Sequence, residues 1–405
     1  MATGEVPLGL PRQTDARVIL KPGRQGPVRR GRRWVYRTEI DRIDGEFEPG
    51  DTVTVYDAYG RFVARGFINP RSMITVRVLT DDPGEPVDEE FWVRRLNRAW
   101  NYRRLVLDDL DACRVVFAEA DGLPALIVDK FGEVLVLQTL ALGVERWKPV
   151  IVRALDDIFL PVGIYERNDA PVRGLEGLEE RAGFIKGPFD PRVMIREGGL
   201  RLLVDVANGQ KTGHFLDQRD NRLLAGRLAR GARVLDAFCY TGGFACQMAA
   251  GGAGEVTAVD TSADALGLAR ENARLNGCDD RITFVEANAF DFLRSAADAG
   301  ERYDLIVLDP PAFAKNRRAL EAAYRGYKEI NLRAMRMLVT GGILITCSCS
   351  HPMDRGLFEQ MLLDAANDVG RRVRIVERRG AAPDHPVLLG APETEYLKCY
   401  VLHVW

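Results

Sequence analysis

From about residue 195 the chain alternates short apolar runs with longer amphipathic ones, and this rhythm restricts its fold more than any other feature. Runs of strand type fall at Arg233–Asp236, Glu255–Asp260, Ile282–Glu286, Tyr303–Asp309, Gly342–Cys347 and Val373–Glu377, with a longer one at Tyr396–Trp405. Between them lie helical patterns such as Ser262–Asn276, opened by the cap residue Ser262 and stopped by Gly277. Another is Ala319–Leu338, with Leu320, Ala323, Tyr327, Ile330, Ala334 and Met337 on one face. Alternation of this kind predicts an α/β domain built on a doubly wound parallel sheet. Sheets of that class bind ligands outside the carboxyl ends of their strands, so the residues that end each run are the ones to inspect.

The rest of the chain reads differently. Residues 1–82 give short strands separated by turn signals, at Asp51–Tyr56, Phe62–Gly66 and Ile74–Leu79, which predicts a small all-β unit. It opens with Arg17, Lys21, Arg24, Arg29, Arg30, Arg32, Arg33 and Arg37, with no acid among them and with Trp34 and Tyr36 interleaved. Arg30 and Arg33 are candidates for phosphate contacts and Trp34 for stacking, against the plainer reading of a solvated charged face. After the acidic linker Thr80–Asp88, residues 83–192 predict a central α+β segment. It has a helix over Glu89–Asp108, a hairpin from Ala125–Asp129 and Glu133–Leu140, a second helix over Trp147–Phe159, and strands at Gly163–Arg167 and Gly183–Lys186. Residues 193–405 form the third segment.

With 405 residues, a net charge of -2 and 28% charged side chains, the chain gives no global sign of a polyanion partner. No stretch is apolar enough for a membrane span, and the N-terminus lacks a basic-then-apolar leader, so the expectation is a cytoplasmic protein with no membrane partner. Seven cysteines without repeated spacing favour free thiols, and Cys347-x-Cys349 is too close for a zinc knuckle, so no metal is expected. A homodimer is left open.

Val234–Ala245, VLDAFCYTGGFA, reads as strand, polar loop and helix start. It lacks G-x-G-x-x-G and instead puts Asp236 at the strand end, with Phe238, Tyr240 and Gly242 in the loop. An acid there repels a dinucleotide pyrophosphate but suits a cofactor with a cationic amino-acid part, namely S-adenosylmethionine. Asp260 ends the next strand where an acid takes ribose hydroxyls, and Asn288-Ala289 follows the third strand where an amide and an apolar wall meet adenine. Any of these could instead be a helix cap. Upstream, Lys211–Arg222 (KTGHFLDQRDNR), with Phe215 and Gln218, is equally readable as a lid over the cofactor or as a capped helix start.

Asp309-Pro310-Pro311-Ala312-Phe313 closes the fourth strand. Pro-Pro forces an extended turn whose acceptors can face a base amine, with Phe313 to stack and Lys315 to hold a phosphate. Turns like it also serve enzymes that methylate exocyclic amines. Thr346-Cys347-Ser348-Cys349-Ser350 adds thiols at the next strand end. Carbon 5 of a pyrimidine becomes nucleophilic when a thiolate adds at carbon 6, which is covalent catalysis by an activated cysteine. Strand alternation puts both cysteines on one face, so they compete for that role, against the reading of a buried strand cysteine.

These motifs, together with KTGHFLDQR, Asp384-His385-Pro386 and EYLK at Glu395–Lys398, resemble the bacterial large-subunit rRNA cytosine-C5 methyltransferases that carry an N-terminal PUA domain. GRRWVYRTEI, EPGDTVTVYD and GFINPRSMITVRVLT are similar to that PUA domain. The resemblance implies a Rossmann-like methyltransferase domain, S-adenosylmethionine as cofactor and rRNA, of the large subunit or its precursor, as partner. It also implies Cys347, matching the T-C-S motif of related enzymes, as the nucleophile. Ala312 stands where those relatives often have cysteine, which leaves Cys349 and Asp309 as candidates for product release. The rivals are amine methylation on the same fold and a non-catalytic RNA-binding or assembly protein.

Overall fold

The computed structural model describes residues 9–405, so the reading that the N-terminus lacks a leader falls partly, over residues 1–8, outside the described residues. The chain divides into two compact units. One takes the residues up to Val193 with Asp205–His214 and Pro383–Thr394, and the other takes Met194–Val204, Phe215–Ala382 and Glu395–Trp405.

In the first unit a six-stranded sheet comprises Gln13–Leu20, Trp34–Tyr36, Ile40–Asp44, Thr52–Tyr56, Phe62–Ile68 and Ile74–Thr80. The last three were legible from their apolar periodicity. The first three lie in and beside the arginine-rich stretch, where exposed Arg17 alternates with buried Ala16 and Val18. A five-stranded sheet follows, Ala112–Phe117, Leu126–Phe131, Val134–Thr139, Gly163–Asn168 and Arg181–Lys186, with helices Glu89–Val106 and Leu142–Phe159. Phe67 and Leu79 from the six-stranded sheet share one hydrophobic cluster with Phe91, Trp92 and Trp147 of these helices. The two segments are therefore welded by a common core.

The second unit is built on seven strands: β1 Arg233–Ala237, β2 Glu255–Asp260, β3 Ile282–Glu286, β4 Tyr303–Leu308, β5 Leu338–Ser348, β6 Val373–Arg379 and β7 Lys398–Val404. Their order is β3-β2-β1-β4-β5-β7-β6. β1 to β5 pair in parallel. β7 runs antiparallel to both β5 and β6, adding one reversed strand to the doubly wound parallel sheet. The crossover from β5 to β6 leaves a lane between them, and the end of the chain fills it from the opposite direction.

Its helices are α1 Arg219–Leu228, α2 Gly243–Ala250, α3 Ala263–Leu275, α4 Ala289–Asp298, α5 Leu320–Met337 and α6 Arg355–Val369. Ser262 caps α3 by accepting from the Ala265 amide, and Asp354 caps α6 by accepting from Leu357. The stripe Ala323, Tyr327, Ile330, Ala334 and Met337 of α5 is buried against Ile306, Leu308 and Leu344 of the sheet, with Phe358 and Met361 of α6 in the same core. Burying each such large apolar side chain contributes roughly 1.5–3 kcal/mol, which fixes the strand ends that carry the polar residues.

Candidate active site

β1 delivers Asp236 and then turns sharply through Phe238-Cys239-Tyr240-Thr241-Gly242. Phe238 (φ 67°) and Tyr240 (φ 49°) are both left-handed, a conformation disfavoured for side-chain-bearing residues. Such backbone persists only where surrounding bonds dictate it, and it concentrates at functional sites. Here Asp260 supplies one of those bonds: its Oδ2 accepts from the Tyr240 amide at 2.8 Å and its Oδ1 from the Ser262 amide at 2.9 Å. The Cys239 amide donates to the Val259 carbonyl at 3.0 Å. Gly242 is required by its φ of 78° and by space, since a Cβ there would lie 3.0 Å from Ala269 Cβ.

Asp236 is fully buried, and neither carboxylate oxygen has a hydrogen-bond partner among the described residues. Burial pushes its carboxyl up to about 8, and the neighbouring Asp309 adds to the effect. An orphaned carboxylate at the base of a strained loop fits a ligand that brings its own cation. Asn288, expected to meet adenine, is exposed and also caps α4, accepting from the Phe290 amide at 2.9 Å. Ala289 behind it is buried. Phe215, half-buried, packs edge-on to Tyr240 with centroids 5.4 Å apart. Gln218 is spent within the protein: its Nε2 donates to Asp309 Oδ1 at 2.8 Å and its Oε1 accepts from Asn221 at 2.6 Å. Arg379 Nε donates to Asn221 Oδ1 at 2.7 Å, so a polar chain runs from β6 to Asp309.

Asp309 is half-buried, Pro310 buried, and Pro311 and Lys315 exposed. Ser350 ties this turn to the end of β5, since its Oγ accepts from the Ala314 amide at 3.0 Å and lies 2.9 Å from the Tyr327 hydroxyl. Phe313 is not a free platform. Its ring packs on Tyr327 (centroids 4.5 Å apart) and Phe290 (5.5 Å), leaving it half-buried.

The two cysteines, expected to be equivalent, are not. Pairing of β5 with β7 sets Cys347 opposite Cys399, and both have 0% exposure. The hydrogen bond shared with Cys399, together with burial, holds the Cys347 thiol well above its ordinary range. Its full burial beside β7 differs from the open position expected for Cys347, although Asp309 and Gln218 of the same site both act on its thiol. Cys349 lies one residue beyond the strand, half-buried, with Sγ 3.9 Å from the Pro310 carbonyl oxygen. Sequence reasoning passed over Lys398 except as part of EYLK. It opens β7 opposite Ser348, and its Nζ donates to the Ser350 and Tyr396 carbonyls, both at 2.7 Å. A lysine at the head of an apolar strand was the available signal.

In the first unit, Arg29, Arg32 and Arg33 of the basic stretch are paired by acids from beyond it, while Lys21 and Arg37 donate to backbone carbonyls. Arg32 meets Glu39 at 2.6 Å, Arg29 meets Asp57 at 3.3 Å and Arg33 meets Asp81 at 3.9 Å. The indole N–H of Trp34 donates to Glu119 at 2.8 Å. Arg30 is exposed and makes no ion pair among the described residues. No cluster of three His, Cys, Asp or Glu suited to a metal occurs among them, and no helix is long and apolar enough to cross a membrane.

A seven-stranded sheet of this order, with a strained acid-anchored loop after β1, defines an S-adenosylmethionine-dependent methyltransferase. The family description of that name matches residues 184–398, and a PUA-like domain matches residues 18–81. The chain is 43% identical over 394 residues to ribosomal RNA large subunit methyltransferase I of Cronobacter sakazakii, covering 96% of this chain and 100% of that one. It is 42% identical, with the same coverage, to the protein of that name from Escherichia coli O139:H28. It belongs to the ribosomal RNA large subunit methyltransferase I family. A solved methyltransferase complexed with SAH superposes with a TM-score of 0.83 at 19% identity, over 96% of this chain and 99% of that one. A SAM-dependent methyltransferase from Streptococcus mutans gives 0.81 at 18% identity with equal coverage, and both show the shared fold.

Proposed function

We propose that the protein methylates carbon 5 of a cytosine in large-subunit rRNA through a covalent adduct, and that the adding thiol is Cys349 rather than Cys347. The observation that carries this is the placement of Cys349 past the end of β5, half-buried against the Pro310 carbonyl, while Cys347 is fully buried opposite Cys399. The relatives' name supports the rRNA substrate. The three segments 1–82, 83–192 and 193–405 would divide the work, the first supplying RNA affinity, through Arg30 above all, and the last the chemistry.

Bound at the loop after β1, S-adenosylmethionine would supply an electrophilic methyl group. Asp236 would meet its ammonium, Asp260 its ribose, and Asn288 with Ala289 its adenine edge, with Phe238, Tyr240, Gly242 and Phe215 shaping the walls. Asp309, fixed by Gln218, would accept from the cytosine amine. The Cys349 thiolate would add to carbon 6, forming the C–S bond and moving the C5=C6 electron pair to carbon 5. Once carbon 5 carries the methyl group, loss of its proton to water returns that pair and expels the thiolate. Pro310 and Pro311 hold the turn open, Phe313 borders the base and Lys315 meets a phosphate. The target base must be unpaired or flipped, because a stacked ring shields both faces.

The test compares Cys349→Ala with Cys347→Ala on large-subunit rRNA, read by mass mapping of 5-methylcytosine. Loss confined to Cys349→Ala supports the reading. Loss confined to Cys347→Ala returns the role to that residue, and undiminished 5-methylcytosine in the double variant would refute the thiolate mechanism, while a methyl group mapped to an exocyclic amine would replace it with amine methylation.

A further inference from the structure

We infer that Lys398 is a positioning residue for the Cys349 thiol, holding the loop that carries it and presenting an ammonium that favours its thiolate. The inference rests on the reading of Cys349 as nucleophile.

The register of β5 with β7 puts Lys398 opposite Ser348, the residue before Cys349. Its Nζ gives one N–H to the Ser350 carbonyl, the residue after Cys349, and one to the Tyr396 carbonyl. Cys349 is thus bracketed by the strand that Lys398 opens. An ammonium has three donors, so one is still available.

The residue is only 3% exposed and has no carboxylate within ion-pair distance among the described residues. A buried cation without an anionic partner is costly, and proteins keep such groups where they perform a function. The charged groups acting on Lys398 are Cys349 from the end of β5, Arg355 and Asp354 from the start of α6, and Glu395 from the approach to β7. Both carboxylates are spent elsewhere: Glu395 accepts from Arg355 Nε at 2.7 Å and Asp354 caps α6. The hydroxyl of Tyr327, from α5, faces the same corner but bonds Ser350 Oγ. The group left to answer the ammonium is the Cys349 sulfur. Burial draws the lysine down to about 8, and Cys349 is the largest influence opposing that fall. When the thiolate forms, its proton leaves to solvent and the ammonium keeps its three hydrogens.

The experiment is site-resolved alkylation of Cys349 by iodoacetamide across pH in the full chain, followed by mass spectrometry. An opposite charge within about 4–6 Å lowers a thiol's apparent pKa by about 1–3 units, so wild-type Cys349 should titrate below the ordinary thiol value of about 8.5. Lys398→Met keeps the unbranched stem and removes the charge. It should move that titration up by about one unit or more, slow alkylation at pH 7 about tenfold per unit, and shift the pH profile of kcat upward likewise. Lys398→Arg should recover part of the shift, and S-adenosylmethionine affinity should be unchanged in both. A wild-type Cys349 that titrates at 8.5 or above overturns the inference without any variant. So does a Lys398→Met protein that loses turnover while its Cys349 titration stays put, since that marks a purely structural clamp. Full activity of Cys349→Ala would defeat the nucleophile reading instead, and the alkylation titration distinguishes the two failures.

Discussion

The buried carboxyl of Asp236 makes the second unit's stability depend on pH in a direction opposite to that of most acids. Its value is pushed from 3.8 up to about 8 by burial first and Asp309 second. The folded state therefore binds the proton more tightly than the unfolded chain does, and stability falls as pH rises between about 4 and 8. Within that window each pH unit costs on the order of 1 kcal/mol, so the step from pH 5 to pH 7 removes about 3 kcal/mol through this one group. Asp236→Asn keeps the shape and deletes the titration. In urea unfolding of the ligand-free protein, the variant's stability advantage over wild type should grow by about 3 kcal/mol from pH 5 to pH 7, because only wild type is losing. Carbon-13 carboxyl shifts should show Asp236 titrating near pH 8. Saturating S-adenosylmethionine should flatten the wild-type dependence, since a bound ammonium stabilises the carboxylate, and the variant should bind that cofactor more weakly. Parallel pH curves for wild type and variant would falsify the reasoning, because they would mean that Asp236 is already ionised and paired.

Gly242→Ala combines a left-handed backbone with a Cβ 3.0 Å from Ala269. It should cost about 1–2 kcal/mol of stability in calorimetry and weaken cofactor binding in titration calorimetry. Gln218→Ala removes the amide that fixes Asp309 at 2.8 Å. It should raise KM for RNA about tenfold, a loss of roughly 1–1.5 kcal/mol for one hydrogen bond, while cofactor affinity holds. Arg30→Ala should weaken RNA binding similarly for all sequences and reduce the slope of log K against log salt by about one, as read in filter binding at several salt concentrations. Loss of specificity for one sequence would argue for base contact instead.

Much of the second unit was legible in the sequence because its signals are local. Strand runs recur with period two and helices with a one-sided stripe, so β2 and β3 appeared with their full spans and α3 and α5 to within a residue. The loop after β1 also declared itself, since Asp236, Gly242 and Asp260 are local departures from an apolar pattern. Around Asn288 the helix cap, one of the two readings the sequence offered, is present. In the arginine-rich stretch, charge hid the alternation of Gln13–Leu20, and the acids that pair it come from as far along as Asp57 and Asp81.

The sequence by itself determined the class of fold, the strand ends that bear chemistry, and the presence of a carboxylate, a Pro-Pro turn and two thiols among them. Tertiary structure alone decided which thiol is fully buried and which is only half-buried. Nothing near Cys347 announces that Cys399, fifty-two positions later, will lie opposite it, or that Lys398 will reach Ser350. Periodicity is set by neighbours two to four residues apart. Burial at a strand end depends on which distant strand takes the adjacent lane, and here that is the returning end of the chain.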